Sequence, residues 1–313
     1  MLIVFKSTIS PMLIMFFCIV IGYILNKLKL LPDNADAVLS RVETYVLVPA
    51  LNISTFMNYC NVESLSSHKF YIIASTILTA VAIFIAYPLS RLFSKETYQR
   101  NIYKYALTFG NFGFLGNAIV PAILGEETLY SYLLFTLPLM AMCYAWGMNV
   151  LIPNENSKSN PFKNLLNPCV ISIPIGAVMG LLNIQAFVPS FIKLSLSNLS
   201  SCMGPIAMLL TGFVVAKFSF LKLIKKPYVY LATLFRLVIL PILFIAVLLF
   251  FKVDKQIIIM TLFAFATPLG LNTVVFPSAY GGDASTGASM ALISHTLCII
   301  TIPLLFAALS TII

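Results

Sequence analysis

Charged residues are expelled from long stretches of this chain and collect between them. No Asp, Glu, Lys or Arg occurs in 7–26, 44–62, 70–90, 105–125, 128–154, 164–192, 194–216, 256–282 or 284–313. Each run reaches the length a helix needs to cross a hydrocarbon core. A tenth apolar stretch, 227–251, is interrupted only by Arg236. The pattern predicts ten membrane-spanning helices of about 20 residues with short connections. It lacks the two-residue alternation of a membrane β-barrel. Composition agrees: of 313 residues, 60% are apolar and 9% charged, with mean hydropathy +0.99, which excludes a soluble globular domain and a disordered chain. The expected fold class is an all-α, multi-pass membrane protein.

Net charge is +9, yet the basic residues sit at helix ends and form no nucleic-acid-binding stripe. They read instead as a topology signal. With the N-terminus outside, the inner side collects Lys27, Lys29, Arg41, Arg91, Lys95, Arg100, Lys104, Lys158, Lys163, Lys217, Lys222, Lys225 and Lys226. The outer side has Lys6, Lys69, Lys193, Lys252 and Lys255, so both termini are expected outside a plasma or inner membrane. The first apolar run lacks a cleavage site in the usual place and reads as a retained span. Six scattered cysteines, at 18, 60, 143, 169, 202 and 298, read as packing residues. There is no metal-ligand cluster and no phosphate-binding loop, so neither a metal nor another cofactor is expected, and an ATP-driven pump is excluded on this chain.

The two halves resemble each other. At a shift of 157 residues, Pro11 meets Pro168, Ile14 Ile171, Asn26 Asn183 and Pro32 Pro189. At a shift of 156, Pro49 meets Pro205, Phe109 Phe265, Leu115 Leu271, Pro121 Pro277 and Gly125 Gly281. The repeating unit is five spans, 1–156 and 157–313. An odd number of spans makes the second copy enter from the opposite side, and inverted repeats of this kind are a transporter signature.

The fourth span of each half is the irregular one. Thr108 to Asn117 places Gly110, Gly113 and Gly116 at spacing three, with Pro121 following; its partner, Ala266 to Thr273, contains Pro268 and Gly270, with Pro277 following. Gly costs about 1 kcal/mol and Pro about 3 kcal/mol inside a helix, so the fourth and ninth spans are predicted to break near the midplane. Half-helix N-termini there can hold an anion, and the freed carbonyls a cation. Asn111, Asn117, Thr267, Asn272 and Thr273 add neutral donors and acceptors, and Gly113, Gly116, Pro268 and Gly270 shape the backbone around them. Taken singly, each residue also fits a packing role, with glycines for close helix contact and Asn or Thr as interhelical hydrogen-bonders.

At these residues the chain resembles the auxin efflux carrier family in its bacterial branch. The resemblance lies in Gly110–Gly116, in Pro268 with Asn272, in Tyr280 to Asp283 followed by Ala288 and Ser289, and in Thr301 to Pro303. Further matches are Val48 to Leu51, Asn167 with Pro168, and Leu209 to Gly212, so the likeness runs end to end. It implies carriers of small organic anions such as malonate or malate, with the fold of bile-acid/sodium symporters. It implies a dimerising scaffold of spans 1, 2, 6 and 7, and a moving core of spans 3–5 and 8–10 that works as an elevator. It also implies a homodimer and substrate contacts at Asn111, Pro268 and Asn272. Two departures stand out. Asn117 and Ala118 replace the family's apolar residue and crossover proline, and His295 replaces a more usual hydroxyl residue.

Ionisable groups within spans are costly and default to functional candidates. Glu43, beside Arg41, is either one of an interfacial charge pair or a gate or proton site. Arg236 needs a buried partner or a place on an anion path. His295 is either a packing histidine or a group for proton coupling. Without a carboxylate in the middle of spans 3–5 or 8–10, H⁺, Na⁺ and uniport all stay open. An intramembrane aspartyl protease is disfavoured, because Tyr280 breaks the Gly-x-Gly-Asp pattern at Asp283 and no second aspartate lies within a span; no enzymatic activity is expected. The alternative to a carrier is an anion channel or a membrane sensor domain of the same fold.

Overall fold

The computed structural model describes residues 1–153 and 160–313; the repeat boundary at 156/157 and Lys158 lie outside the described residues. The helices are α1 (Leu2–Lys27), α2 (35–59), α3 (Lys69–Phe93), α4 (Thr97–Thr108), α5 (Phe112–Leu124) and α6 (Glu126–Leu151). They continue as α7 (Pro168–Leu181), α8 (Ser190–Ala216), α9 (Pro227–Phe250), α10 (Lys255–Phe265), α11 (Asn272–Ala279) and α12 (Ser285–Leu309). Short helical turns at 62–67, 161–165 and 220–223 lie in the connections. α1, α3, α6, α8, α9 and α12 are long and apolar enough to cross a membrane, and α5, α7 and α10 are shorter apolar helices. This is a helical, multi-pass membrane protein.

Helix starts follow local chemistry. Pro168 and Pro227 open α7 and α9 at the position where a missing N–H costs nothing. The side chains of Asn167 and Asp254 accept from the first-turn amides of Val170 and Gln256. Four helices carry a wider, π-helical turn, at 43–47, 112–116, 143–147 and 235–239. In α2 and α9 a proline, Pro49 or Pro241, stands two residues beyond that turn. Its ring removes the amide that would bind the carbonyl four residues back and presses on that carbonyl, so the preceding turn opens.

Packing is closest between α1 and α8 and between α2 and α7, and α8 also lies on α2. A methyl group on Gly22 of α1 would overlap the Leu209 carbonyl of α8, and one on Gly212 of α8 would overlap the Ile19 carbonyl. The two backbones therefore touch, the way small residues let membrane helices gain packing contact where water supplies no driving force. Between α2 and α7, the Asn52 amide donates to the Cys169 carbonyl at 2.8 Å and reaches the Ser172 hydroxyl at 3.0 Å. On the other side of the molecule α3 packs on α4 and α6, α5 on α6, and α9 on α10 and α12.

Gly212→Val should force α1 and α8 apart, with an overpacking cost of about 1–3 kcal/mol or more. Gly113→Ala should leave folding intact, since a methyl there meets nothing within 4 Å. Melting temperatures of the two variants in detergent, beside wild type, check this contrast; equal melting would refute the backbone contact.

Candidate functional site

The fourth predicted span is two helices. α4 stops at Thr108, Phe109 is extended, and α5 begins at Phe112 after Asn111. The ninth is likewise split between α10 and α11 by 266–271. The two breaks meet. Gly110 and Leu269 form an antiparallel bridge, the one piece of extended pairing among the described residues. The Asn111 amide donates to the Pro268 carbonyl at 2.7 Å, and the Leu269 amide donates to the Ser294 hydroxyl of α12 at 3.0 Å. Glycine is required at this contact: a methyl on Gly110 would lie 2.6 Å from Thr267 Oγ1 and 2.7 Å from Arg236 Nη2.

A helix that ends inside apolar surroundings leaves unpaired carbonyls, and one that begins there leaves unpaired amides. Here one side chain reaches carbonyls at both helix ends. Arg236, fully buried in the wide turn of α9, donates from Nη1 to the Leu107 and Thr108 carbonyls, each at 3.1 Å. Its Nη2 donates to the Ala264 carbonyl at 3.2 Å, and the guanidinium carbon lies 5.3 Å from the Phe265 ring centre. Both C-terminal ends are thus capped by one planar fork. The Tyr132 hydroxyl of α6 ties the same region together, with the Phe112 carbonyl at 3.1 Å and the Phe263 carbonyl at 3.3 Å.

The N-terminal ends face a cavity of about 350 Å³. Gly110 to Phe114 and Gly270 to Asn272 line it, with Ser40, Thr44 and Asn52 of α2 and Thr136, Cys143 and Tyr144 of α6 opposite. Its one charged lining residue among those described is Lys163, which is exposed. The wall is mostly apolar with a few neutral polar groups. The Thr273 and Val274 amides of α11 are bound to the Gly270 and Leu271 carbonyls, so the first turn of α5 is the helix start better suited to favour a small anion. Asn272 donates to the Tyr105 hydroxyl at 2.8 Å, and that hydroxyl lies 3.0 Å from Cys143 Sγ. Asn111 Nδ2 lies 2.9 Å from His295 Nε2, while His295 Nδ1 lies 2.8 Å from the Ala291 carbonyl.

A second cavity, of about 480 Å³, is lined by Ser54, Thr55, Asn58, Ser197, Ser200 and Ser201, among others, with Glu126. Asn117 lines both cavities, and its buried Oδ1 has no hydrogen-bond partner among the described residues. The residue that departs from the family pattern therefore stands in the wall between them.

Of the residues singled out in the sequence, Asn111, Gly113, Asn117, Gly270 and Asn272 line the first cavity. Four others are not among the residues that line it. Gly116 makes room for the Tyr132 hydroxyl, and Thr267 donates to the Ala264 carbonyl at 3.0 Å. The Pro268 carbonyl holds the Asn111 amide, and Thr273 donates to the Gly270 carbonyl at 2.8 Å. These residues build the breaks. Arg236 has its buried partners in backbone carbonyls and does not line the cavity. Glu43 forms no interfacial pair with Arg41: Arg41 is exposed, whereas Glu43 is fully buried in the wide turn of α2 with neither oxygen hydrogen-bonded among the described residues. Asp283 supports the start of α12, accepting from the Ser285 amide at 2.8 Å and its hydroxyl at 2.9 Å. Burial pushes the Asp283 carboxyl up, but these bonds and nearby Lys226 outweigh it and hold the group below the ordinary carboxylate value. Asn52, Thr136, Tyr105 and Cys143 were not legible as site residues, because each is an unexceptional polar or small residue within an apolar or mixed helix.

Replacing Arg236 by Met should leave the buried Leu107 and Thr108 carbonyls without this donor, at about 1–3 kcal/mol each, while the Ala264 carbonyl keeps Thr267. Lys should not rescue it, because one ammonium cannot span the fork. Melting temperature and membrane yield of both variants test this; a Lys variant as stable as wild type would refute the fork.

A family model described as membrane transport protein matches residues 7–161 and 152–306. A Schizosaccharomyces pombe protein described as an uncharacterized transporter is 30% identical over 102 residues, which is 33% of this chain. That match spans 23% of the relative's own length. With family matches that run through both helix breaks and the cavity between them, the chain belongs to the membrane transport protein family of auxin efflux carriers.

Proposed function

We propose that this protein is a secondary carrier of small organic anions, with a carboxylate such as malonate or malate as substrate. The observation that carries this reading is the division of labour at the two helix breaks. Arg236 occupies carbonyls at the two C-terminal ends, while the first residues of α5 and α11 line a mostly apolar cavity with neutral polar groups and no buried charge among its described lining residues. A carboxylate placed between them gains from both dipoles at once. Arg236 engages the Leu107, Thr108 and Ala264 carbonyls, which leaves fewer for a sodium ion and favours H⁺ over Na⁺ among the coupling ions.

In this reading the chain is two inverted five-helix units, 1–156 and 157–313. The tightly packed set α1, α2, α7 and α8 is the scaffold and dimerises. The remaining helices carry the site across the membrane by an elevator motion, between a cavity on one side of Asn117 and a cavity on the other. The protein sits in a plasma or inner membrane with both termini outside. Glu43, in the scaffold, is a buried acid whose isolated charge is costly, so it gains from any cation or proton brought to it during the cycle. Closure between the two cavities favours a carrier over a channel.

Purified protein in liposomes should accumulate labelled malonate, malate or lactate when a pH or potential gradient is imposed. Asn111→Ala and Asn272→Ala should each cut uptake about tenfold or more, the loss of about 1.4 kcal/mol or more, with membrane abundance kept. Unchanged uptake in both would refute the site. Currents far beyond about a thousand ions per second would turn the reading to a channel, since conformational cycles run on microsecond to millisecond or slower timescales.

A further inference from the structure

We propose that His295 is the binding site for a proton carried with the substrate anion, and that the side-chain amide of Asn111 reverses to link the two. This rests on the carboxylate-carrier reading above. A carbonyl only accepts hydrogen bonds, so the 2.8 Å contact to Ala291 O fixes a proton on His295 Nδ1. Asn111 Nδ2 donates at 2.9 Å to His295 Nε2, so Nε2 is the bare nitrogen and the ring is neutral. The amide has then spent its donor on the ring. Its Oδ1, with no hydrogen bond to another described residue, is the end left for the cavity that Asn111 lines. An oxygen acceptor there repels a carboxylate.

A proton on Nε2 changes this. The ring becomes a donor at both nitrogens and requires an acceptor where Asn111 Nδ2 now stands. The two ends of a primary amide have nearly the same size and shape, so a half-turn about the terminal bond satisfies the ring without disturbing the packing. Oδ1 then accepts from Nε2–H, and Nδ2 is presented to the cavity as a donor for the anion. One proton enters from the cavity and resides on Nε2; no other bond forms or breaks.

The surroundings make the anion the proton's counter-charge. α12 packs against α1, α4, α8, α9, α10 and α11, and neither these helices nor α5 and α12 themselves carry an Asp or Glu. The titratable groups at the crossing are Arg236 of α9, bound to carbonyls, and Tyr105 of α4, bound to Asn272, with Cys298 a turn along α12. The other cations of these helices stand near helix ends, apart from the half-buried Lys104 of α4. A positive ring therefore has no fixed negative partner on any helix packed around it. Each ligand supplies what the other lacks, which is the condition for thermodynamic coupling.

Two measurements test the proposal. In weakly buffered detergent solution with a pH dye, wild type should take up one proton per carboxylate bound. In liposomes with the potential clamped, an inward proton gradient alone should drive carboxylate accumulation. His295→Gln binds no proton, so it should lose both proton uptake and gradient-driven accumulation, and any carboxylate exchange it retains should not depend on pH. Carboxylate binding without proton uptake by wild type overturns the proposal even if the variant fails to fold. Gradient-driven accumulation that survives His295→Gln and is lost in Glu43→Gln also overturns it, moving the proton to Glu43 while the carrier reading stands. A wild type that neither binds nor moves any carboxylate removes both.

Discussion

A helix that stops inside hydrocarbon strands its last carbonyls, and no water is at hand to satisfy them. Two helices stop at the same place in this protein, and one guanidinium serves both. The placement of Arg236 depends in turn on Pro241, which opens the turn of α9 that carries it. The antiparallel bridge between Gly110 and Leu269 then locks the two breaks to each other. Pro268 and the glycines already oppose continuous helices here, and the fork satisfies carbonyls that the breaks would otherwise strand.

Capping is one-sided, and the chemistry of the cavity follows from that. With the carbonyl ends neutralised, the crossing presents a net excess of amide character to the cavity, without a lysine or arginine deep inside it. In the carrier reading proposed above, an anion is attracted by fixed dipoles, which cost no reorganisation when it arrives and impose no strongly bound ion pair when it leaves. A turnover cycle needs both properties. The wide turns of α2, α5, α6 and α9 all lie at this centre or beside it, consistent with the tendency of π-helical turns to cluster at functional sites.

Much of this was legible in the chain. The exclusion of charge, the Gly110/Gly113/Gly116 series and Pro268 with Gly270 located the breaks, because backbone preference acts locally. What could not be read was which side of each broken segment faces the cavity. Thr267 and Thr273 look like ligands in a string of letters, yet both hydroxyls are spent on carbonyls three residues back. Gly116 looks like a hinge and is room for a tyrosine hydroxyl. Tyr105 and Cys143 carry no local signature, since their roles arise only when α4, α6 and α11 are brought together. Arg236 was recognisable as needing a partner, but a partner made of backbone has no residue type to search for. Two opposite charges two residues apart suggest a pair, so Glu43 reads in the sequence as either a partner of Arg41 or a gate or proton site; the opened turn puts Glu43 in the interior and leaves Arg41 exposed.

Asn117 lines a cavity on each side of itself. If both cavities fill with water, they conduct ions far better than the surrounding lipid and protein, so almost none of the membrane voltage falls along them. Nearly all of it falls across the thin septum at that asparagine, and the local electric field is correspondingly concentrated. A charge shifted by a few ångströms relative to the septum then does the electrical work of crossing the whole bilayer, about 2.3 kcal/mol per elementary charge at 100 mV. In the carrier reading, with both cavities wet, voltage would therefore act mainly on charge that moves relative to Asn117.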